Sequence, residues 1–389
     1  STSVGTLLFA RTLDGIQGAA TGTASMALIM SAFAPEDRVK AMGWWTLVGA
    51  GGPVIGVSLG APIIQAFGWR ALFWGQLALL AVAFVVVALI IPRPGHRRSG
   101  VVDYAPANRE AGWKGMDWIG SWTLSGSVTA VMLGLSLGPS HGWTSSLILG
   151  LFISSVFGLA AFIWRIRTAE NPLIPPEYFT RRNFVMPMVV RATANFAYFG
   201  AFFLFPLVME QGYGYAIAAV GAVAIARPLL FAIASPVSGY ATVRVGERNA
   251  SVAGMICLTA SLLIFALLMV HTPVIWVIVA LALSGLGMGI AMPATSSTMA
   301  NEVDPSKFGV MGAAQMLAMQ VGEVAGIQVL VTMQQAAMHH RGLTANSAPA
   351  ELLATFHTPF FLGAAIALIG VIAAATIRDF DRSDSSLKA

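Results

Sequence analysis

The chain alternates between long apolar runs and short polar connections. A helix needs about 20 apolar residues to cross the hydrocarbon core of a bilayer, and eleven segments have this length and character. They are residues 7–33, 41–66, 70–92, 117–137, 144–164, 184–208, 216–240, 250–270, 274–300, 309–335 and 358–377. The pattern therefore predicts an all-α membrane protein with about eleven transmembrane helices.

Basic residues are distributed unevenly among the connections. If the 34–40 turn is cytoplasmic, the alternation of the helices places seventeen of the 22 Lys and Arg residues on that side. Only Arg70 and Arg341 fall on the opposite side. The three that remain lie within helices: Arg11, Arg191 and Arg227. This bias predicts a protein of the cytoplasmic membrane with a cytoplasmic C-terminus.

Composition supports the membrane assignment and excludes several other classes. With 57% hydrophobic and 10% charged residues, the chain has more apolar side chains than a water-soluble core can cover. The pI of about 9.7 does not indicate nucleic-acid binding, because the basic residues sit in short gaps between apolar runs. A single cysteine, Cys257, leaves no disulfide framework, and no histidine pair has metal-ligand spacing.

The longest polar connection runs from Arg93 to residue 116 and contains several prolines, which favour an extended linker. We take 93–116 as a basic cytoplasmic linker between two helical groups. The predicted division places part of an N-terminal helix bundle in 1–92 and two extra helices in 117–165. A C-terminal six-helix bundle with a short cytoplasmic tail follows in 166–389. The chain begins at Ser1 directly before an apolar helix, so we expect that residue 1 is not the natural start.

Two stretches resemble motifs of one transporter family. The segment LLFARTLDGIQGAATG at 7–22 is similar to the fourth-helix signature of drug/proton antiporters, and GAGGPVIGVSLGA at 49–61 is similar to their fifth-helix antiporter motif. The matching positions are Arg11, Gly15, Gly18, Ala19 and Ala20 in the first, and Gly52, Pro53 and Gly56 in the second. HGW at 141–143, NPLIPPEYFTRRNF at 171–184 and GLGMGIAMPA at 285–294 follow in the same order. The chain thus resembles the fourteen-helix drug/proton antiporters of the major facilitator superfamily.

This resemblance implies a major facilitator fold in which three helices precede Ser1. It also implies proton-coupled efflux of small amphipathic or cationic compounds by alternating access. The expected partners are a small-molecule substrate, protons and the lipid bilayer, with no nucleic acid and no cofactor, and a monomer is expected. The segment GYATVRVGER at 239–248 is similar to a loop motif of the family, but Val243 replaces its usual Asp.

Arg11 and Asp14 are candidates for proton coupling. Charged side chains at membrane depth cost at least about 2.5 kcal/mol each, so they indicate function. The spacing of three places both on one helical face, where Arg11 would stabilise the charged form of Asp14 until a proton breaks the pair. The alternative is that Arg11 lies near the outer interface and extends its charge to water.

A second group of polar residues is a candidate for the substrate cavity. Its members are Glu323, Gln315 and Gln320 of one helix, Arg191 and Asn195 of another, and Arg227, which precedes Pro228. Glu323 could bind a cationic substrate or carry a proton, and either arginine could bind an anionic group. The alternative is a structural ion pair between Glu323 and Arg191 or Arg227.

Glycines spaced four apart predict close helix contacts. They are Gly18 and Gly22; Gly52, Gly56 and Gly60; Gly285 and Gly289; and Gly322 and Gly326. Gly52, Pro53 and Gly56 together predict a bend in the antiporter-motif helix.

Other functions remain open from sequence. One is export of a single metabolite, lipid or siderophore. Another is an integral membrane enzyme, for which we find no nucleophile with a positioned base, so no enzymatic activity is expected. A phosphate-binding Gly-rich loop followed by Lys is also missing from the sequence, which favours an ion gradient as the energy source.

Overall fold

The computed structural model describes residues 3–90, 117–170, 172–344 and 347–379, and these form an all-helical bundle. The helices are α1 Val4–Ala32, α2 Arg38–Phe67, α3 Trp69–Ile90, α4 Trp118–His141, α5 Ser146–Thr168, α6 Arg182–Leu207, α7 Ile217–Ala224, α8 Ala226–Val245, α9 Glu247–Ala266, α10 Ile275–Glu302, α11 Phe308–His340 and α12 Pro349–Ala375. Every predicted segment corresponds to a helix, with 216–240 divided between α7 and α8. The predicted linker 93–116 lies outside the described residues.

Eight spans of the described chain are long and apolar enough to cross a membrane. They are 70–89, 146–168, 182–212, 219–245, 247–266, 275–302, 305–340 and 349–375. The remaining long helices are α1, α2 and α4. Glycine, serine and threonine are frequent in α1 and α4.

The break between α7 and α8 has a local cause in the sequence. Pro228 has no backbone N–H to donate to the carbonyl of Ala224, and its ring would clash there in a continuous helix. The first helix ends at Ala224 and the next begins at Ala226. The apolar run 216–240 is therefore interrupted at Ile225, just before the Arg227–Pro228 step.

Two helices extend furthest beyond their predicted segments. α12 begins at Pro349 instead of residue 358, with a proline in its first turn and Glu351 near its N-terminus, both of which favour a helix start. α11 continues to His340 instead of residue 335. The apolar runs mark only the membrane-length part of each helix, so the polar end turns were missed.

The largest hydrophobic core lies between α6, α9, α10 and α12. Phe265 of α9 stacks on Phe360 of α12, with ring centroids 5.0 Å apart and an interplanar angle of 17°. Val190, Leu204 and Leu281 are fully buried or nearly so in the same core. These helices form one compact group, whereas most side chains of α3 have no covering neighbour in the described part of the chain.

A second core joins α1 and α2 to the remainder of the bundle at one end. Met26, Met30 and Met42 pack there with Phe308 and Met311 of α11, and all five are fully buried. We call this the basic end: it carries the 33–37 turn together with Arg165, Arg181 and Arg244.

The predicted close helix contacts are confirmed for two of the glycine pairs. A Cβ at Gly285 or Gly289 would meet α8 backbone, and a Cβ at Gly322 or Gly326 would meet α6 backbone. The prediction is wrong for three glycines: a Cβ at Gly18, Gly52 or Gly56 would have no described atom within 4 Å. The physical reason is that α1 and α2 lose contact with neighbouring described helices away from the basic end. Gly60 lies outside the residues whose surroundings are described.

The two helices α4 and α5 form an antiparallel pair. The Ser127 hydroxyl donates to the carbonyl oxygen of Ser155 at 2.7 Å within their contact. At the basic end, the N-cap residue Asp117 accepts a hydrogen bond from Nε of Arg165 at 2.8 Å and another from the N–H of Gly120 at 2.9 Å. Burial raises the pKa of the Asp117 carboxyl, but these hydrogen bonds lower it by more, so its pKa lies below the ordinary value.

Candidate functional site

Three of the candidate charges, Arg11, Asp14 and Glu323, lie on α1 and α11. The two helices touch near the basic end, where a Cβ at Gly312 would lie 3.4 Å from the carbonyl oxygen of Thr23. One contact lies further along: a Cβ at Gly22 would be 3.3 Å from the Cε atom of Met316. Because α1 residue numbers fall as those of α11 rise along this contact, the helices are antiparallel.

Beyond Gly22 the two helices separate. A Cβ at Gly18 or Gly15 would have no described atom within 4 Å, and both residues are exposed. Within the described chain the two helices therefore touch at the basic end and lose contact beyond Gly22, and we call the space between them beyond that contact the cleft.

Helical periodicity places the polar candidates on the two walls of this cleft. Arg11, Gly15, Gly18 and Gly22 recur at three- and four-residue spacing, so they form one stripe on α1. On α11, Met316, Gln320 and Glu323 form the corresponding stripe that starts at the Gly22 contact. Glu323 lies seven residues, or about 10 Å along the axis, beyond that contact, at the level of Gly15.

Arg11 and Asp14 form the predicted ion pair on α1. Nη1 of Arg11 lies 3.4 Å from Oδ2 of Asp14, and the two side chains are 70% and 62% exposed. An exposed pair of this kind contributes little to folding stability, about 0–1 kcal/mol. Stability therefore gives no reason to place these two charges in a membrane-length helix.

Glu323 is half-buried, and its predicted structural ion pair is not present. Within the described chain, neither an ion pair nor a hydrogen bond involves its carboxylate, and both buried arginines have other partners. The interpretation that Glu323 pairs with Arg191 or Arg227 to hold the packing is therefore wrong. Gly322 beside it packs against the α6 backbone at Ala192.

Arg191 belongs to a buried polar cluster between α6, α10 and α11. Its Nη1 donates to Oε1 of Gln315 at 3.0 Å and to the hydroxyl of Ser296 at 3.4 Å. Ser296 donates to the same Gln315 oxygen at 3.0 Å, and Nδ2 of Asn195 donates to the carbonyl oxygen of Arg191 at 2.7 Å. The structure thus brings Arg191, Asn195 and Gln315 together, whereas Gln320 is exposed and lies away from them. That these residues line a substrate cavity stays a prediction.

The cluster retains unused hydrogen-bonding capacity. Nε of Arg191, Nε2 of Gln315 and Oδ1 of Asn195 are buried without a hydrogen-bond partner among the described residues. A buried polar atom without a partner typically costs about 1–3 kcal/mol, so such atoms indicate a bound water or ligand group.

Arg227 is held by aromatic side chains. Its guanidinium carbon lies 3.2 Å from the centroid of the Tyr198 ring and 4.8 Å from that of Phe202, and Nη2 donates to the carbonyl oxygen of Tyr198. The carboxyl groups of the described residues form no salt bridge with Arg227. Aromatic faces attract a guanidinium, which explains how a buried cation is accommodated here.

The antiporter-motif residues lie on α2. Gly52 and Gly56 are exposed and open to space, and the surroundings of Pro53 lie outside the described ones. The predicted bend at these residues stays a prediction.

Sequence reasoning missed Ser296, which joins Arg191 to Gln315. The signal available was the run Thr295–Thr298, four consecutive hydroxyl residues in an otherwise apolar helix. All four are buried, so the run marks the polar interior of the bundle. Across the described residues, no group of three His, Cys, Asp or Glu side chains could hold a metal ion.

Membrane-length apolar helices with arginines buried between them define a polytopic helical membrane protein. A family model described as Major Facilitator Superfamily matches residues 1–117 and 114–327. The chain belongs to the major facilitator superfamily.

Three curated relatives are proteins of drug or antibiotic resistance. Multidrug resistance protein Stp of Mycobacterium tuberculosis is 24% identical over 84% of this chain and 58% of its own length. Multidrug transporter protein MdtP of Bacillus subtilis is 24% identical over 83% of this chain and 58% of its own length. The tetracenomycin C resistance and export protein of Streptomyces glaucescens is 27% identical over 85% of this chain and 59% of its own length. The chain thus spans less than two thirds of each relative.

Proposed function

We propose that the protein containing this chain is a proton-coupled exporter of small amphipathic or cationic compounds. The observation that carries this proposal is the cleft between α1 and α11, where Glu323 faces the Arg11 stripe without an ion-pair partner among the described residues. The similarity to proteins named for multidrug resistance and antibiotic export supports the substrate class. The proposed cycle is alternating access.

Two carboxylates in the cleft have different surroundings, which suggests different roles. Asp14 has a guanidinium beside it, so removal of its proton is compensated by Arg11. Glu323 has no such partner and can pair with a cationic substrate or accept a proton when the substrate leaves. Competition between a proton and a cation for one carboxylate would couple their movements in opposite directions.

The test is transport by the full-length protein in proteoliposomes with an imposed pH gradient. We compare the wild type with Asp14→Asn and Glu323→Gln, using one cationic dye and one neutral substrate. Glu170→Gln is the matched control, because Glu170 is an exposed glutamate next to the end of α5. We expect loss of cation transport in Glu323→Gln and loss of the pH-gradient dependence in Asp14→Asn, with the control unchanged.

Three results would contradict this proposal. Full proton dependence in Asp14→Asn would remove Asp14 from the mechanism. Equal loss of both substrates in Glu323→Gln would assign Glu323 to structure. Failure of every cationic compound to be transported would favour the alternative, an exporter of one metabolite, lipid or siderophore, for which the buried arginines could bind an acidic group.

Several finer expectations belong to this proposal. They are fourteen helices in the full-length protein, the division at 93–116, an N-terminal bundle remainder in 1–92, extra helices in 117–165 and a C-terminal bundle in 166–389. We further propose that the basic end is cytoplasmic, that the C-terminus lies on that side and that the protein acts as a monomer without enzymatic activity. Cysteine labelling from each side of the membrane tests the orientation directly.

A further inference from the structure

Arg38 connects the two halves of the bundle at the basic end. It lies at the start of α2, and its Nε donates to the carbonyl oxygen of Met30 at 3.1 Å. Its Nη1 donates across the bundle to the carbonyl oxygen of Ala300 at 3.2 Å and to Oδ1 of Asn301 at 2.9 Å. The guanidinium carbon also lies 4.9 Å from the ring centroid of Phe308 on α11. One buried side chain thus holds α1, α2, α10 and α11 together.

The acceptors explain why this contact can open. No salt bridge joins Arg38 to a carboxylate of the described residues, and Glu36, two residues earlier, acts on it only from a distance. Carbonyl and amide oxygens bind a guanidinium less strongly than a carboxylate does. When the contact opens, water can replace these oxygens at small cost, so the link is strong enough to hold one state and weak enough to release it.

The backbones of α2 and α8 pack closely around Arg38. A Cβ at Gly43 of α2 would lie 2.6 Å from the carbonyl oxygen of Ser235 on α8, and a Cβ at Gly239 of α8 would lie 2.9 Å from the carbonyl oxygen of Val39 on α2. The link is therefore located in the contact where the two halves must separate to open the basic end.

We infer that Arg38 is a positioning residue for transport: it latches the basic end of the bundle shut and must release α10 and α11 in every cycle. This inference rests on the proposed function for its role in transport. The latch itself is a property of the structure and can be measured without a transported substrate. Asn301 offers a way to strengthen the latch, because its Oδ1 accepts from Arg38 while its Nδ2 has no hydrogen-bond partner among the described residues.

The experiment measures access to a cysteine placed behind the latch. Ser297 lies one turn before Asn301 on α10, is fully buried, and its hydroxyl has no described partner. We introduce Ser297→Cys into the full-length protein with Cys257→Ser and any other cysteine replaced. In everted vesicles we record the rate of reaction with a membrane-impermeant maleimide, alongside the thermal stability of each variant.

We expect Arg38→Gln to accelerate labelling by about 5- to 150-fold, the usual range for coupling between two states. Asn301→Asp converts the latch into a charge-assisted pair, so we expect labelling slower than in the parent and slower substrate turnover. Phe308→Leu, which keeps Arg38 and removes the ring, should give a smaller acceleration and serves if Arg38→Gln fails to fold. Arg248→Gln is the control, because Arg248 is an exposed arginine of the same end.

Faster labelling in Arg38→Gln together with slower labelling in Asn301→Asp would support the inference. If Arg38 and Asn301 had only a structural role, both substitutions would change the labelling rate in the same direction. Unchanged labelling in a stable Arg38→Gln protein would overturn it, as would faster labelling in Asn301→Asp. A latch confirmed by labelling in a protein that transports no tested compound would leave the inference standing and reject the proposed function.

Discussion

The contact between α6 and α11 gives the sharpest stability prediction. A Cβ at Gly326 would overlap the carbonyl oxygen of Phe196, and one at Gly322 would overlap that of Ala192. Both obstacles are backbone atoms of a helix, so no side chain can rotate to make room. We therefore expect Gly326→Ala to force the two helices apart.

The magnitude follows from two opposing effects. Overpacking of a close contact costs about 1–3 kcal/mol, and the rigid obstacle here argues for the upper end. Replacing glycine by alanine in a helix returns up to about 1 kcal/mol. The expected net loss in the free energy of unfolding is about 2 kcal/mol, which corresponds to roughly 30-fold in the unfolding equilibrium.

The assay is equilibrium unfolding of the full-length protein in mixed micelles with increasing denaturing detergent, followed by tryptophan fluorescence. Gly309→Ala is the matched control, because Gly309 is on the same helix and has no described atom within 4 Å of its Cβ position. The control should be neutral or slightly stabilised. Equal destabilisation of both variants, or none in Gly326→Ala, would refute the close-contact reasoning.

Two further predictions concern the basic end. Asp117→Asn should lower the free energy of unfolding by about 1–3 kcal/mol, less than a fully buried pair would lose because Arg165 is partly exposed. Because the pKa of Asp117 is depressed, its contribution to stability is complete above about pH 4 and is lost as the pH falls further. Between about pH 7 and pH 3 the melting temperature of the wild type should therefore fall more than that of the variant. Gly43→Ala should separate α2 from α8 and accelerate maleimide labelling of Ser297→Cys, whereas Gly49→Ala, with open space around it, should not; equal labelling in both would contradict the packing argument.

The helices could be predicted from sequence because their cause is local. An apolar run of membrane length forms a helix wherever it lies, so the segments for α1 to α6 and α9 to α11 were placed correctly. The helix break before Arg227 also has a local cause, because Pro228 cannot continue a regular helix. The early start of α12 was missed because its first turns are amphipathic, and hydropathy alone does not detect them.

The contacts between helices could be predicted only in part. Spacing of four marked Gly322 and Gly326 correctly, but the same spacing at Gly52 and Gly56 gave the wrong answer. Spacing reports which residues share a helix face; it does not report whether another helix covers that face. The predicted pairing of Glu323 with an arginine was wrong for a related reason: the charges in a sequence do not determine which side chains meet in the fold.

The two groups of candidate charges differ in a way that restricts where a proton can act. Arginine does not release its proton in proteins, so Arg191 and Arg227 can bind or orient but cannot carry protons. Their immediate partners, Gln315 and the Tyr198 carbonyl, do not titrate near neutral pH either. Among the described side chains on the two cleft stripes and the Arg11 ion pair, the groups able to exchange a proton are Asp14 and Glu323. If Asp14 and Glu323 couple transport to protons, the coupling passes through the cleft, and neutralising both carboxylates should abolish it while the buried arginine cluster stays intact.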